Sequence, residues 1–357
     1  CLIEGEAIAR QELKEKLEAL GNSLIVAGSN TKVRVHVHTN DPEAVFDIAR
    51  DYGQVSKKKF DDMRKQHSAA YGNGQAAQIA LITDSSCDLT AEFIIRHQVQ
   101  MVPLQVSFGN DNFVDKITLT PKEFYRMLKQ SAHHPKTSQP SPGDFLNTYK
   151  QVLGHYQQAI SITVAGALSG TLQAAQSAAE KGGRGAIRVV DSRNTSVALG
   201  LIVKEVADAI EEGCTLDEVV ARAQWAVEHV RFFIGVDTMD YLIRSGRVSK
   251  ARGYLAKTVN VMPILTLDAE GRVDVVAKAM GGKSAMKKVM ELVLEAAKQK
   301  KQLKFAVGHA NAPETADWFL GQIKKQFEVR DVMVVNVSPA LGAHVGPGAY
   351  GIAFLGE

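Results

Sequence analysis

The chain has 357 residues, with 42 Lys and Arg against 39 Asp and Glu, and a formal net charge of +3. This near balance argues against nucleic acid as the main partner, because readers of the phosphate backbone carry a concentrated basic excess. No apolar run approaches the roughly 20 residues of a membrane helix, and three scattered cysteines suit a reducing compartment better than a disulfide framework. We expect a cytoplasmic globular protein of two or three domains.

The N-terminal stretch indicates a small α/β unit. The chain begins Cys1-Leu-Ile-Glu-Gly-Glu, which is typical of the interior of a domain, so we expect a fragment of a longer protein. Apolar spacing and turn residues predict a helix, two strands and a second helix, over residues 10–20, 23–27, 33–39 and 42–52. The small polar segment 71–77 has the composition of a linker. Residues 1–70 are therefore predicted to form a unit of their own.

From residue 78 onward, strands and helices alternate as in an α/β protein. Strands are predicted over residues 79–83, 99–108, 159–164 and 187–190. Helices are predicted from residue 90 and over residues 121–131, 142–153, 169–181 and 196–211. Beyond residue 230 the pattern predicts a strand over 231–236, a hairpin over 262–279, a helix over 283–300, a strand over 304–307, a further helix and two late strands. We predict two α/β subdomains, residues 78–230 and 231–357.

The loop Lys136-Thr-Ser-Gln-Pro-Ser-Pro places hydroxyl groups just before a predicted helix. Ser141 is positioned to cap that helix. Thr137 and Ser138 lie too far upstream to cap it. Their adjacent hydroxyls, in a loop stiffened by proline, are available to donate to a ligand oxygen.

A second candidate is Ser169-Gly-Thr, which follows a strand and a turn of small residues. The N-terminus of a helix offers unpaired N–H groups and partial positive charge. Gly170 leaves the backbone uncovered, and this kind of strand-to-helix turn is where open α/β sheets bind ligands. On residue chemistry alone, Ser169 fits an ordinary N-cap equally well.

A third candidate is His344, in the glycine-rich stretch Gly342-Ala-His-Val-Gly-Pro-Gly. So much glycine indicates a loop that comes close to another group. A lone histidine is more often structural than functional, although it can act as a donor or switchable cation near pH 7.

Six segments together resemble the DegV family, in the order of that family and over residues 78–357. They are Ile82-Thr-Asp-Ser-Ser-Cys-Asp-Leu, Lys136-Thr-Ser-Gln-Pro-Ser-Pro, Leu168-Ser-Gly-Thr, Val190-Asp-Ser, Tyr241-Leu-Ile-Arg-Ser-Gly-Arg and His344-Val-Gly-Pro-Gly. The resemblance implies a bacterial fatty-acid-binding protein with an acyl chain buried between two α/β subdomains. Such proteins carry the fatty acid to a kinase that phosphorylates its carboxylate.

The resemblance also implies residue roles. Thr137 and Ser169 would hold the carboxylate, beside Ser138 and Gly170, and His344 would lie near it. One departure is the stretch Ala277-Lys-Ala-Met-Gly, where methionine stands at the position of a family arginine that supports phosphorylation. Lys278, on the same face of the predicted strand, is a candidate to supply the missing charge.

Residues 1–70 resemble the end of the middle domain of a fatty acid kinase protein related to dihydroxyacetone kinase. The resemblance is carried by Cys1 with Glu4-Gly-Glu, Gly21-Asn-Ser-Leu, Val33-Arg-Val-His-Val-His-Thr-Asn-Asp-Pro and Met63-Arg-Lys-Gln. It implies a kinase domain upstream in the parent chain or on a separate protein. Spacing of two puts His36 and His38 on one strand face, and the resemblance adds Cys1 as a third ligand of a zinc ion.

Two other functions compete with the lipid carrier. A hydrolase acting on a small ester or acyl substrate would use the Asp84-Ser85 loop with His344 as base, but the strained Gly-x-Ser-x-Gly elbow is missing. A docking or regulatory domain would use the basic segment 244–252. The carrier accounts for more of the motifs, so we expect a non-catalytic lipid-binding part of a fatty acid kinase system.

Overall fold

The computed structural model describes residues 1–56, 58, 79–183, 185–248, 261–329 and 332–357. The predicted linker 71–77 lies outside these residues. The chain divides into two compact units: Cys1–Gln75 with Gln105–Thr137, and Ala76–Leu104 with Ser138–Glu357. Among the described residues, no helix is both long and apolar enough to cross a bilayer.

Helices and strands alternate along most of the described chain. The helices are α1 (Arg10–Glu18), α2 (Pro42–Arg50), α3 (Ala91–Arg96), α4 (Pro121–Gln130), α5 (Pro142–Leu153), α6 (Thr171–Gly182), α7 (Ser196–Glu211), α8 (Leu216–His229), α9 (Asp240–Ser245), α10 (Gly282–Ala297), α11 (Pro313–Gln326) and α12 (Pro339–Val345). The strands are β1 (Leu2–Glu4), β2 (Gly21–Gly28), β3 (Lys32–Thr39), β4 (Gln54–Ser56), β5 (Ile79–Asp84), β6 (Gln100–Val102), β7 (Gln105–Phe108), β8 (Asp111–Val114), β9 (Lys136–Ser138), β10 (Gln158–Thr163), β11 (Ile187–Asp191), β12 (Arg231–Gly235), β13 (Val261–Leu267), β14 (Val273–Met280), β15 (Lys304–His309), β16 (Val332–Asn336) and β17 (Tyr350–Leu355).

The first unit is built on a seven-stranded sheet of order β4-β1-β3-β2-β8-β7-β9. The two predicted strands are β2 and β3, which pair antiparallel with each other, and β1 pairs antiparallel with β3. Helix α2 begins where sequence predicts, because Asp41 caps it and proline occupies its first turn. Alternate apolar residues of β3 and the inner faces of α1 and α2 form the core of the N-terminal part.

The second unit contains a four-stranded parallel sheet of order β11-β10-β5-β6. It also contains a six-stranded sheet of order β14-β13-β12-β17-β15-β16, in which only the described pair β15–β16 is parallel. Helix α7 contacts β5 in the first of these sheets and β15 and β17 in the second. Its N-terminal part, residues 197–203, is apolar on all sides and buried, as a helix segment between two sheets must be, whereas Glu205 and Asp208 farther along pair with Lys304. The chain therefore forms the α/β fold that the sequence predicts.

Two regions differ from the sequence-based prediction. The sequence predicts a single strand over residues 99–108, but the chain breaks at Pro103 and enters a different sheet on each side. Proline lacks the N–H that a continuous ladder needs, and Leu104 N donates instead to Ser85 Oγ at 2.9 Å. Helix α8, over Leu216–His229, is absent from the prediction, although Thr215 and Glu218 form a capping box at its start.

Candidate ligand-binding edge of the parallel sheet

The carboxyl ends of β5 and β10 lie side by side at a topological switch point. The chain leaves β5 toward β6 on one side and leaves β10 toward β11 on the other. In open parallel sheets, this divergence opens a crevice outside the strand ends, and ligands bind there. The same edge carries the segments that sequence reasoning singled out after residues 84 and 163.

Asp84 ends β5 and is fully buried. Its carboxylate accepts hydrogen bonds from Ser86 N at 2.9 Å, from Ser86 Oγ at 2.5 Å and from Val164 N at 2.7 Å. Ser85 is also fully buried, and its hydroxyl accepts the bond from Leu104 N. This loop ties strand ends together, which favours a structural role over that of a hydrolase nucleophile.

Asp88 links the same loop to the helix that bears His344. It is almost fully buried. It accepts hydrogen bonds from Ser196 Oγ at 2.8 Å and from Ser338 N at 3.0 Å. Ser338 is the N-cap of α12, so a carboxylate near β5 fixes the start of a helix distant in sequence.

The N-terminus of α6 opens at this edge. The helix begins at Thr171 with Gly170 as its N-cap, so the alternative of an N-cap at Ser169 is wrong. Ser169 Oγ lies 2.8 Å from Thr171 Oγ1 and accepts from Thr171 N at 3.3 Å. The N-cap Gly170 has no side chain to cap the helix, and no acidic residue lies in the first turn. Amides and hydroxyls of this kind favour an anion.

The 136–142 loop packs on this helix start through a residue that sequence reasoning missed. A Cβ added at Gly170 would lie 2.4 Å from Oε1 of Gln139, so the glutamine amide rests directly on the bare backbone. Ser138 precedes Gln139 at the end of β9, and Thr137 is the last residue of the first unit. The sequence did carry one signal for Gln139, because it is a polar residue next to the candidate hydroxyls of Thr137 and Ser138.

Two buried hydroxyls at this edge have no hydrogen-bond partner among the described residues, those of Thr163 and Thr195. Thr163 ends β10 on the same strand face as Ser161, whose hydroxyl Tyr149 of α5 binds at 2.9 Å. Thr195 precedes α7 and makes no side-chain cap. A buried hydroxyl without a partner costs roughly 1–3 kcal/mol, so both hydroxyls are available to a polar group that binds at this edge.

His344 lies on helix α12 rather than in the loop that its glycines predicted. Gly346 ends the helix with a φ of +75°, and its missing Cβ leaves room for the Tyr241 ring of α9. Gly348 leaves room in the same way for the Asp237 carboxylate. Burial raises the pKa of Asp237. Burial, and then the Asp237 charge, raise the pKa of Tyr350.

The β13–β14 hairpin reaches the edge with its turn. At Gly271, which has a φ of +78°, an added Cβ would lie 2.8 Å from Ala165 Cβ and 3.0 Å from Arg193 Cα. Lys278 and Met280 lie at the other end of β14, roughly 20 Å along the strand at about 3.3 Å per residue. Met280 is 63% exposed. The turn of this hairpin therefore packs against the edge.

The described residues give no support to a zinc site at Cys1, His36 and His38. Cys1 pairs with Val35 through two backbone hydrogen bonds and packs in the core on that face of the sheet. His36 is the next residue of β3, so its side chain lies on the opposite face, where it is exposed. The His38 side chain lies outside the described residues. No group of three potential ligands occurs among those described.

Residues 1–70 match the FakA-like middle domain of fatty acid kinase proteins, and residues 78–357 match the DegV family of uncharacterised proteins. A DegV domain-containing protein of Clostridium acetobutylicum is 29% identical over 279 residues, which are 78% of this chain and 99% of the relative. One from Staphylococcus aureus is 28% identical over 275 residues, 77% of this chain and 98% of the relative.

Solved structures show the same fold. The fatty-acid-binding DegV family protein of Thermus thermophilus superposes with a TM-score of 0.75 at 30% identity, covering 78% of this chain and 100% of that one. DegV of Bacillus subtilis, also described as a fatty acid binding protein, gives 0.71 at 29% identity, covering 78% and 99%. This chain therefore belongs to the DegV family.

Proposed function

We propose that this chain binds a long-chain fatty acid with its carboxylate at the N-terminus of α6. The observation that carries the proposal is a helix start at the switch point whose N-cap is a glycine and whose first turn has no acidic residue. A carboxylate there would accept from amides and hydroxyls and would gain from the helix dipole. Relatives about 30% identical are fatty-acid-binding proteins, which favours this anion over an inorganic one.

The residues that we propose for carboxylate binding are chosen from the family resemblance and from the contacts at the start of α6. Ser169 and Gly170 supply a hydroxyl and a bare backbone at the helix start. Ser138 and Thr137 supply the hydroxyls that precede Gln139. We keep His344 as a further polar neighbour and Lys278 as the candidate cation, both as the resemblance implies.

Affinity would come mainly from the acyl chain. A chain of about sixteen carbons gains at most roughly 12 kcal/mol on burial, at about 0.8 kcal/mol per CH₂. Hydrogen bonds to the carboxylate contribute less, but they fix the orientation, because a buried carboxylate without donors is strongly disfavoured. We propose that the acyl chain lies in a buried cavity between the two predicted subdomains, 78–230 and 231–357.

We further propose that the chain is the carrier part of a fused kinase–carrier system. The match of residues 1–70 to a kinase middle domain supports this role. The kinase domain would phosphorylate the bound carboxylate from upstream in the parent chain or from a separate protein. Fusion would raise the effective concentration of one partner for the other.

Substitution at Gly170 tests the proposal. Gly170→Ala adds a methyl group 2.4 Å from Gln139 Oε1, whereas Gly143→Ala meets only Ser141 Oγ at 3.4 Å. We expect purified protein to release one C14–C18 fatty acid on denaturation, and Gly170→Ala, which displaces the Gln139 amide from the helix start, to weaken rebinding severalfold while Gly143→Ala leaves it unchanged. Mass spectrometry of the extract and titration of delipidated protein measure both. A protein that neither carries nor binds a fatty acid would contradict the proposal.

A further inference from the structure

The seven-stranded sheet is continuous across the two family matches. Strands β4, β1, β3 and β2 belong to residues 1–70, and β8, β7 and β9 belong to residues 78–357. The junction is an antiparallel pairing of β2 with β8 at Gly28 and Asn112. The N-terminal segment thus covers an edge strand of the DegV domain, which would otherwise present unpaired backbone groups.

An ion pair reinforces this junction. Arg34 Nη2 lies 2.9 Å from Glu123 Oε1, and the two side chains are only 18% and 20% exposed. Glu123 Oε2 accepts at the same time from Thr120, in the capping box that starts α4. One carboxylate therefore holds the start of a DegV helix and binds β3 of the kinase-like segment. Such a half-buried pair is screened less by water than an exposed one.

The sheet ends at the strand with the proposed head-group residues. From β2 the order runs through β8 and β7 to β9, which is Lys136–Ser138. Three strand spacings of about 4.8 Å separate β2 from β9, or roughly 14 Å. Hydrogen-bonded strands shift together, so the position of β2 restrains the position of Thr137.

We infer that residues 1–56 are a docking module that recognises the β8 edge of the DegV domain and holds strand β9 in place. The module offers the DegV domain strand β2, which pairs antiparallel with β8, and Arg34, which forms an ion pair with Glu123. The docking rests on the described contacts alone, while its effect on the ligand rests on the function proposed for Thr137. The kinase-like segment would in this way hold Thr137, the residue of the first unit that we propose for carboxylate binding.

Charge reversal in the full chain tests the docking. We expect Arg34→Glu and Glu123→Arg each to raise hydrogen exchange of the β8 amides that face β2, around Asn112, by at least tenfold, and the double reversal to restore protection. Glu123→Gln keeps an acceptor for the helix cap, so it separates the loss of the ion pair from the loss of the cap. Lys32→Glu is the matched control, because Lys32 lies on the same strand face and pairs with Glu4 within the N-terminal segment.

The outcomes distinguish the docking from the fatty acid function. Unchanged exchange in both single reversals, or a double reversal no better than the singles, would overturn the docking. Raised exchange with unchanged fatty-acid affinity would overturn the effect on β9, where we expect a three- to tenfold loss that the double reversal restores. If wild-type protein binds no fatty acid, the proposed function fails, and the exchange of β8 still decides the docking.

Discussion

The carboxyl edge of the parallel sheet and the far end of strand β14 have opposite character. At the edge, polar groups are buried, and carboxylates such as Asp84 and Asp88 bind the backbone of neighbouring segments. On β14, the apolar Val276 and Met280 are 42% and 63% exposed. The first region puts polar groups where water is excluded, and the second puts apolar groups where water reaches them.

This difference separates two tasks of the proposed carrier. Buried amides and hydroxyls suit a carboxylate that must be held in one orientation. An exposed strand end with a lysine between apolar residues suits contact with another protein. Since about 20 Å of strand separates the hairpin turn from Met280, we expect substitutions in the two regions to affect different measurements.

The largest expected effect is on stability at the buried edge. Asp84→Ala removes the acceptor of three hydrogen bonds, and each buried donor left unpaired costs about 1–3 kcal/mol. We expect the free energy of unfolding to fall by about 3–5 kcal/mol, measured by urea denaturation. Asp191→Ala is the control, because that carboxylate is only half-buried and accepts from Gly166 N and Arg193 N. An equal loss in both variants would contradict the structural role of Asp84.

The next effect concerns the head group. Thr137→Ala combined with Ser169→Ala should weaken fatty-acid binding by about 1–3 kcal/mol, because a buried carboxylate loses donors. Thr148→Ala provides a control, since its hydroxyl donates to Asp144 O on the exposed side of α5. Isothermal titration of delipidated protein measures the change. Wild-type affinity in the double variant would place the carboxylate elsewhere.

Much of the fold could be predicted because local signals agree with the tertiary structure. Capping residues and proline set the starts of α2, α4 and α5. Strand β9 could not be predicted, because three polar residues become a strand only by pairing within a sheet. The short helix that bears His344 was not predicted either. Its glycines suggested a loop, whereas Ser338 and Pro339 start a helix.

The candidate site was predicted only in part. Ser169 and Gly170 follow a strand and precede a helix, which is a local pattern. Gln139 lies next to two candidate hydroxyls, but its contact with Gly170 depends on how distant segments pack, and nothing in the sequence around Thr163 and Thr195 marks those two residues. The described residues give the zinc prediction no support, and spacing could fix the face of His36 relative to His38 but not relative to Cys1, which precedes β1.

A third prediction concerns the exposed end of β14. Met280→Arg should raise acyl-phosphate formation with a cognate kinase about tenfold, because added positive charge offsets repulsion between the carboxylate and the nucleotide phosphates. Fatty-acid affinity should change by less than about 1 kcal/mol. If Lys278 already supplies the charge, Met280→Arg does little and Lys278→Ala abolishes turnover. An unchanged rate in both variants would exclude help from this strand.

The smallest effect tests the unpaired hydroxyls. Thr163→Val removes a buried hydroxyl without a partner among the described residues, so it should raise the free energy of unfolding of lipid-free protein by about 1 kcal/mol. Thr83→Val removes a hydroxyl that donates to Ile162 O at 2.8 Å, so it should lower that free energy by a similar amount. Thermal unfolding compares the two. The same sign for both would mean that Thr163 is hydrogen-bonded in solution.

The central claim is that a fatty-acid carboxylate binds among donors at the α6 N-terminus. Carbon-13 NMR of protein loaded with carboxyl-labelled palmitate tests it most directly. Donors and a helix N-terminus favour the charged form, so we predict one bound resonance whose pKa lies below that of an ordinary carboxyl group, and whose position shifts in Ser169→Ala. A raised pKa, or a resonance unaffected by Ser169→Ala, would contradict this account.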